Sequence, residues 1–280
     1  MPKNIVIVGP PRSGTSLTSG IFAGQGYFAG EQLRSGDDYN PFGYFEDEAL
    51  VEANVRIFRD VDFHFHNTWM FAPIADSQIA SISQLPVEDC DRLLVAACGE
   101  HSPWMWKDPR LCMTLSYWAN VIDWTNAGVV LTQRNAEDVY WSFRRKGWCS
   151  AGNVQRDKTI ERIEKHASNA QATIDRLKIP HISIEYNEYH QQPEAVANRI
   201  NEFAGLELTT DDLNFHSELD HSCGRGRLAG HARILLKMLP KNTLKKVSGY
   251  LPKNVQSILF PEKKFVSDES EVQTDVRRRA

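Results

Sequence analysis

A β-branched run, Ile5-Val6-Ile7-Val8, ends in a glycine turn, Gly9-Pro10-Pro11-Arg12-Ser13-Gly14, which leads directly into Thr15 and Ser16. A short apolar run bounded by glycine reads as a buried strand of a parallel sheet. Beyond Thr15, Leu17, Ile21 and Phe22 recur at helical spacing, which predicts a helix to about residue 24. Strand, glycine loop and helix in this order are the context of a phosphate-binding P-loop. A strand feeding a helix in this way belongs to an open α/β sheet, whose ligands collect at the C-terminal edge of the strands.

The rest of the chain repeats the alternation. Residues 25–45 form a long loop rich in Gly, Asp, Asn and aromatics, and a loop of that length inside a domain is usually functional. From Asp47, Leu50, Val51, Val55 and Phe58 predict a helix. Further helices are expected over 87–98, 110–122, from Asn135, over 155–178 and over 193–204, with strands at 103–106, 128–132 and 182–184. Phe63, Phe65, Trp69 and Phe71 crowd one segment, which reads as core first and otherwise as an apolar or sugar-stacking surface near the active site. The pattern predicts a doubly wound parallel α/β domain over residues 1–221. Residues 222–265 carry ten Lys and Arg against one acid, Glu262, with Pro240, Pro252 and Pro261 between short apolar stretches. They read as a basic helical extension appended to the sheet, and 266–280 as a disordered tail.

Several function classes fall away on bulk properties. The net charge of −4 gives no reason to expect nucleic acid. No apolar run approaches the roughly 20 residues a membrane-spanning helix needs. The opening run is too short for a signal sequence, so a cytoplasmic protein is expected. Five cysteines match no zinc spacing and are expected as free thiols. His64 and His66 are the only close histidine pair and read as part of the aromatic segment, so no metal is expected.

The loop residues Pro11, Arg12, Ser13, Gly14, Thr15 and Ser16 supply what an anion needs. Backbone N–H groups converge, and the helix start adds partial positive charge. Thr15 and Ser16 can cap the helix and donate to phosphate oxygens. ATP-type loops carry Lys before Ser or Thr; here Gly14 precedes Thr15, and the cation is Arg12. A guanidinium can grip oxygens in pairs, which suits a phosphosulfate. Arg134 ends a second buried strand, and Ser142 follows about two helical turns later, roughly 11–12 Å along the axis. The helix is expected to bend or splay if both side chains are to reach one phosphate.

GPPRSGTS at 9–16, NPFGYFED at 40–47, WKDPRL at 106–111 and TQRNAEDVYWSF at 132–143 together resemble the phosphoadenosine-phosphosulfate-dependent sulfotransferases, most closely the bacterial-type branch. ISIEYNEYHQQPEAVANRINEFAGL at 182–206 resembles a strand–helix unit of the same family. The resemblance implies a P-loop nucleoside-triphosphate-hydrolase-like fold: a central parallel sheet flanked by helices. It implies 3′-phosphoadenosine 5′-phosphosulfate as donor co-substrate, the loop on its 5′-phosphosulfate, and Arg134 with Ser142 on its 3′-phosphate. Some family members fold a basic segment over that phosphate, which makes Arg225 a candidate. Animal cytosolic members carry Lys where this chain has Arg12, and their catalytic His has no obvious counterpart here.

Sulfuryl transfer needs a base for the acceptor and cations around the leaving oxygen. Glu46 is the favoured base, since related bacterial enzymes use a carboxylate in such a loop; Asp108 is the rival, and Asp47 reads as a helix N-cap. Lys107 resembles the family lysine that steadies the leaving oxygen. Arg110 can hold Asp108 or the acceptor. The acceptor is a small molecule, carbohydrate or lipid-like compound with a hydroxyl or amine. Two other readings stay open: a P-loop kinase of a small metabolite, which needs a Lys on the phosphates and a Mg²⁺-binding carboxylate, and a catalytically silent nucleotide-binding protein.

Overall fold

The computed structural model describes residues 1–36, 40, 43–65, 69–149 and 152–213. All of them fall in one unit, Met1–Leu219. His66, Cys223, Arg225, the basic segment 222–265 and the tail 266–280 lie outside the described residues.

Four parallel strands form the centre: β1 (Asn4–Val8), β2 (Met105–Lys107), β3 (Ala127–Gln133) and β4 (His181–Glu185), in the order β2-β1-β3-β4. Helices cover both faces, as the alternating apolar strands require. Along β1, Val6 and Val8 join Val129 and Leu131 in a core with α2 (Glu48–Asp60), α5 (Leu111–Trp118) and α7 (Asn153–Leu177). The intervening Ile5 and Ile7 join Val130 and Ile184 against α1 (Thr15–Gly24) and α9 (Pro193–Ala204) on the other face. This is the period-2 signature of a strand buried on both sides. The remaining helices are α3 (Asp76–Ile82), α4 (Asp89–Glu100), α6 (Ala136–Lys146) and α8 (Glu188–Gln191).

The strand expected at 103–106 lies two residues later, because Trp104 instead bridges to Phe28 and so ties the start of the long loop to the sheet edge. The helix expected over 110–122 is shorter, Leu111–Trp118, and turns finish the segment. Helices α3 and α8 were not foreseen; both are too short for periodicity to reveal. Phe63 and Trp69 are buried, as expected of core aromatics.

From β1 the chain crosses to β2 on one side, and from β3 it crosses to β4 on the other. The strand order therefore reverses between β1 and β3, and the loops at their C-terminal ends flank the crevice where open α/β sheets bind ligands.

Candidate active site

The loop after β1 is shaped by contacts from behind. Ser13 is fully buried; its hydroxyl meets Thr132 Oγ1 at 2.9 Å and its N–H donates to the Pro10 carbonyl at 3.1 Å. A Cβ at Gly9 would stand 2.1 Å from Thr132 Oγ1 and 2.5 Å from the Thr132 carbonyl, so only glycine lets the loop pass this close to β3. Gly14 has φ 100° and is the N-cap of α1. Thr15 and Ser16 therefore do not cap the helix, contrary to the expectation. No side chain caps it, and its first turn holds no acidic residue. By contrast, Asp47 caps α2 and Asn135 caps α6. Free first-turn N–H groups of this kind favour an anion.

Arg12 lies at φ 71°, a conformation non-glycine residues rarely adopt and one often found at functional sites. Its Nε donates to Ser142 Oγ at 3.1 Å, and Arg134 Nη1 donates to the Arg12 carbonyl at 3.1 Å. The tertiary structure thus brings Arg12, Arg134 and Ser142 into one group, with Ser142 on the face of α6 turned toward the loop. Arg134 also lies over the Tyr186 ring, 3.9 Å from its centroid, and Tyr186 packs where a Cβ on Gly14 would be, at 2.7 Å. Tyr186 went unnoticed in the sequence. It follows β4 directly, as Arg134 follows β3, so the strand-end argument that selects Arg134 applies to it equally.

Lys107 is the last residue of β2 and pairs in register with Ile7, beside the root of the loop. Its Nζ donates to Glu46 Oε1 at 2.7 Å, and both side chains are buried. Glu46 immediately precedes the N-cap Asp47, so it is outside the first helical turn. Two pairings hold it there: the Arg34 N–H donates to the Glu46 carbonyl, and the Glu48 N–H to that of Gln32. Arg34 Nη1 lies 3.6 Å from Glu46 Oε2, and Arg34 Nε donates to Glu48 at 3.1 Å. The long loop therefore folds back on itself and carries Glu46 across to Lys107.

Asp108 points the other way. It is fully buried and accepts from Asn54 Nδ2, from the Arg110 N–H and from Arg110 Nη1, each at 2.9 Å. It anchors α2 to the start of α5.

One cleft of about 470 Å³ is lined by Pro11, Arg12, Thr15 and Ser16 of the loop together with Glu46, Lys107 and Arg110, whereas Asp108, Arg134 and Ser142 are not in its lining. Trp69, Trp148, Tyr44 and Arg34 complete it. Trp69 belongs to the aromatic segment that the sequence offered as a surface near the site or as core; Arg34, Tyr44 and Trp148 carry no such signal in the sequence. Lys146, from the basic run after Ser142, reaches the Tyr44 hydroxyl at 3.3 Å and the Trp148 ring at 4.4 Å, on the cleft's edge. Elsewhere, His64 pairs with Asp62 at the surface. Cys112 is fully buried, and burial pushes its thiol well up, so it is no nucleophile.

Among described protein families, the model of the Sulfotransferase family matches residues 2–211. No curated protein matches the chain in sequence. Among solved structures it is similar to the sulfotransferase domain of the Synechococcus PCC 7002 olefin synthase, at 17% identity and a TM-score of 0.43, covering 89% of this chain and 95% of that one. It is also similar to the sulfotransferase domain of the curacin biosynthetic pathway, at 16% identity and a TM-score of 0.47, over 76% of this chain and 77% of that one. A Mycobacterium tuberculosis sulfotransferase matches at 14% identity and a TM-score of 0.45, over 88% of this chain and 76% of that one.

Proposed function

Because the chain belongs to the sulfotransferase family, we propose that it moves a sulfuryl group from 3′-phosphoadenosine 5′-phosphosulfate to a hydroxyl or amine of a small acceptor, with Glu46 as general base. The observation that carries this reading is the buried Lys107–Glu46 pair, set in a cleft that the loop after β1 also lines.

The loop fits an anionic donor: no side chain caps α1, glycines stand where side chains would collide, and Arg12 brings a guanidinium. The donor supplies an activated sulfuryl group on a phosphate leaving group. The loop N–H groups and Arg12 hold its 5′ end, and Arg134 with Ser142 takes the 3′-phosphate. Lys107 has three N–H donors, and Glu46 uses one. The others can meet charge developing on the leaving oxygen, a stabilisation that is large in a water-poor cleft. Glu46 takes the acceptor's proton as the sulfur–oxygen bond forms. Asp108 is not suited to this task, because both its oxygens are engaged and it is fully buried. The same observation weighs against the kinase reading, which needs an accessible carboxylate at this strand end for Mg²⁺.

The test is thermal shift with adenosine 3′,5′-bisphosphate against ATP–Mg²⁺, followed by mass spectrometry of acceptor mixtures incubated with the donor. Stabilisation by the bisphosphate alone and a sulfated acceptor are expected. Stabilisation by ATP–Mg²⁺ alone would end the proposal.

A further inference from the structure

Resting on that reading of the cleft, we infer that Arg110 anchors the acceptor, and that the acceptor is a carboxylate-bearing compound gripped by the Nε/Nη2 edge of this guanidinium. Arg110 is only 9% exposed yet borders the cleft. One side of it is committed to the protein, since Nη1 donates to Asp108 at 2.9 Å. That carboxylate is itself held by Asn54, whose Oδ1 accepts from Thr114 Oγ1 at 2.6 Å and Trp118 Nε1 at 2.8 Å. The column fixes the plane of the guanidinium.

The other edge has no such commitment. Arg110 Nε is buried with no hydrogen-bond partner among the described residues. A buried donor without a partner is costly, and native proteins rarely keep one without a use. Arg34 is paired with Glu46 and Glu48, and Lys107 gives one donor to Glu46 and keeps the others for the leaving oxygen. Asp108 balances the charge of Arg110 through Nη1 but takes up only that nitrogen, so the N–H groups of the opposite edge are left to be matched. The Nε/Nη2 edge presents two parallel N–H groups, the geometry that a planar carboxylate matches. Arg110 Cζ lies 5.6 Å from the Trp69 ring centroid, and Trp148 also lines the cleft, so the body of the acceptor meets aromatic surface. Arg110, Glu46 and Lys107 line the same cleft, so a carboxylate held by Arg110 shares it with the pair where the nucleophile must stand.

The probes are 4-hydroxyphenylacetate and 4-hydroxyphenylacetamide, titrated into the full chain with adenosine 3′,5′-bisphosphate present and followed by ligand-observed NMR. The wild type is expected to bind the carboxylate about tenfold or more tightly than the amide. Arg110→Lys keeps a cation beside Asp108 but loses the paired edge, and should bring the two probes within about threefold of each other. Its affinity for the bisphosphate should stay within about twofold of wild type. Equal binding of the probes to the wild type, which requires no variant, overturns the inference. So does a preference retained in Arg110→Lys, or a large loss of bisphosphate affinity there, which would give the edge to the donor. Bisphosphate binding by the wild type is measured separately, so failure of the donor reading is distinguishable from failure of the acceptor one.

Discussion

Glu46 and Lys107 are 61 positions apart, yet they meet at 2.7 Å in the cleft. Glu46→Gln keeps the shape and an acceptor for Lys107 but cannot take a proton. Turnover at saturating donor and acceptor should fall about 10²–10⁴-fold, as for loss of a general base, with bisphosphate affinity little changed. Turnover within a few-fold of wild type would make Glu46 only the counterion of Lys107. Asp108→Asn tests the opposite assignment: it leaves Arg110 without its buried partner, so the expected loss is in stability, about 3–5 kcal/mol by denaturant unfolding. Arg134→Ala should weaken adenosine 3′,5′-bisphosphate binding about tenfold or more, the value of a charge-assisted hydrogen bond, and spare a nucleotide lacking the 3′-phosphate. Equal losses for both ligands would mean that Arg134 acts only through the Arg12 carbonyl and Tyr186.

Among the elements, the loop after β1 and the α2 cap do the positioning. Gly9→Ala introduces a methyl where Thr132 Oγ1 stands 2.1 Å away and backbone oxygen 2.5 Å away. Backbone cannot yield as a flexible side chain can, so the loop must shift; a stability loss of about 1–3 kcal/mol is expected, with loss of bisphosphate binding in calorimetry. Asp47 has two tasks. Its Oδ1 accepts from the Ala49 N–H at 2.8 Å, and its Oδ2 from the Gln32 N–H at 3.2 Å. Asp47→Ala should cost about 1–2 kcal/mol as a lost cap and also lower turnover, because Glu46 is its neighbour. Asp47→Asn, which retains a capping oxygen, should recover most of both; a variant that recovers stability but not turnover would give Asp47 a part in the chemistry itself.

At the scale of the whole molecule, the cleft wall depends on a buried histidine. His166 on α7 is 4% exposed and packs against Trp69, ring centroids 5.1 Å apart. Burial, and then the nearby Lys165 and Arg162, pushes its imidazole down to about 4. The unfolded chain binds this proton near pH 6.5 and the folded chain only near 4, so stability is full above pH 6.5 and falls as pH drops toward 4. At about 1.4 kcal/mol per unit the loss approaches roughly 3 kcal/mol. The melting temperature of the wild type should fall through this window more steeply than that of His166→Phe; parallel curves would show that other groups set the acid limit.

The sequence by itself determined the α/β plan. Ile5 to Val8 reads as a short strand buried on both faces, the glycine turn and the apolar spacing after it as the start of a helix, and each later apolar run repeats that logic, because backbone period is a local property. It also marked the strand ends that carry Lys107 and Arg134, since sheet topology sends ligands to that edge. Only the tertiary structure decided which groups meet. It turned Asp108 inward to Asn54 and Arg110, set Glu46 rather than Asp108 on Lys107, put Ser142 and Arg134 on Arg12, and brought Arg34, Tyr44, Trp69 and Trp148 into one cleft. A carboxylate next to a lysine in sequence and one far from it look alike in composition. The choice between them is made by packing: β2 ends with successive side chains on opposite faces, so Lys107 faces the cleft and Asp108 faces the core, and a folded-back loop supplies the partner that local spacing does not encode.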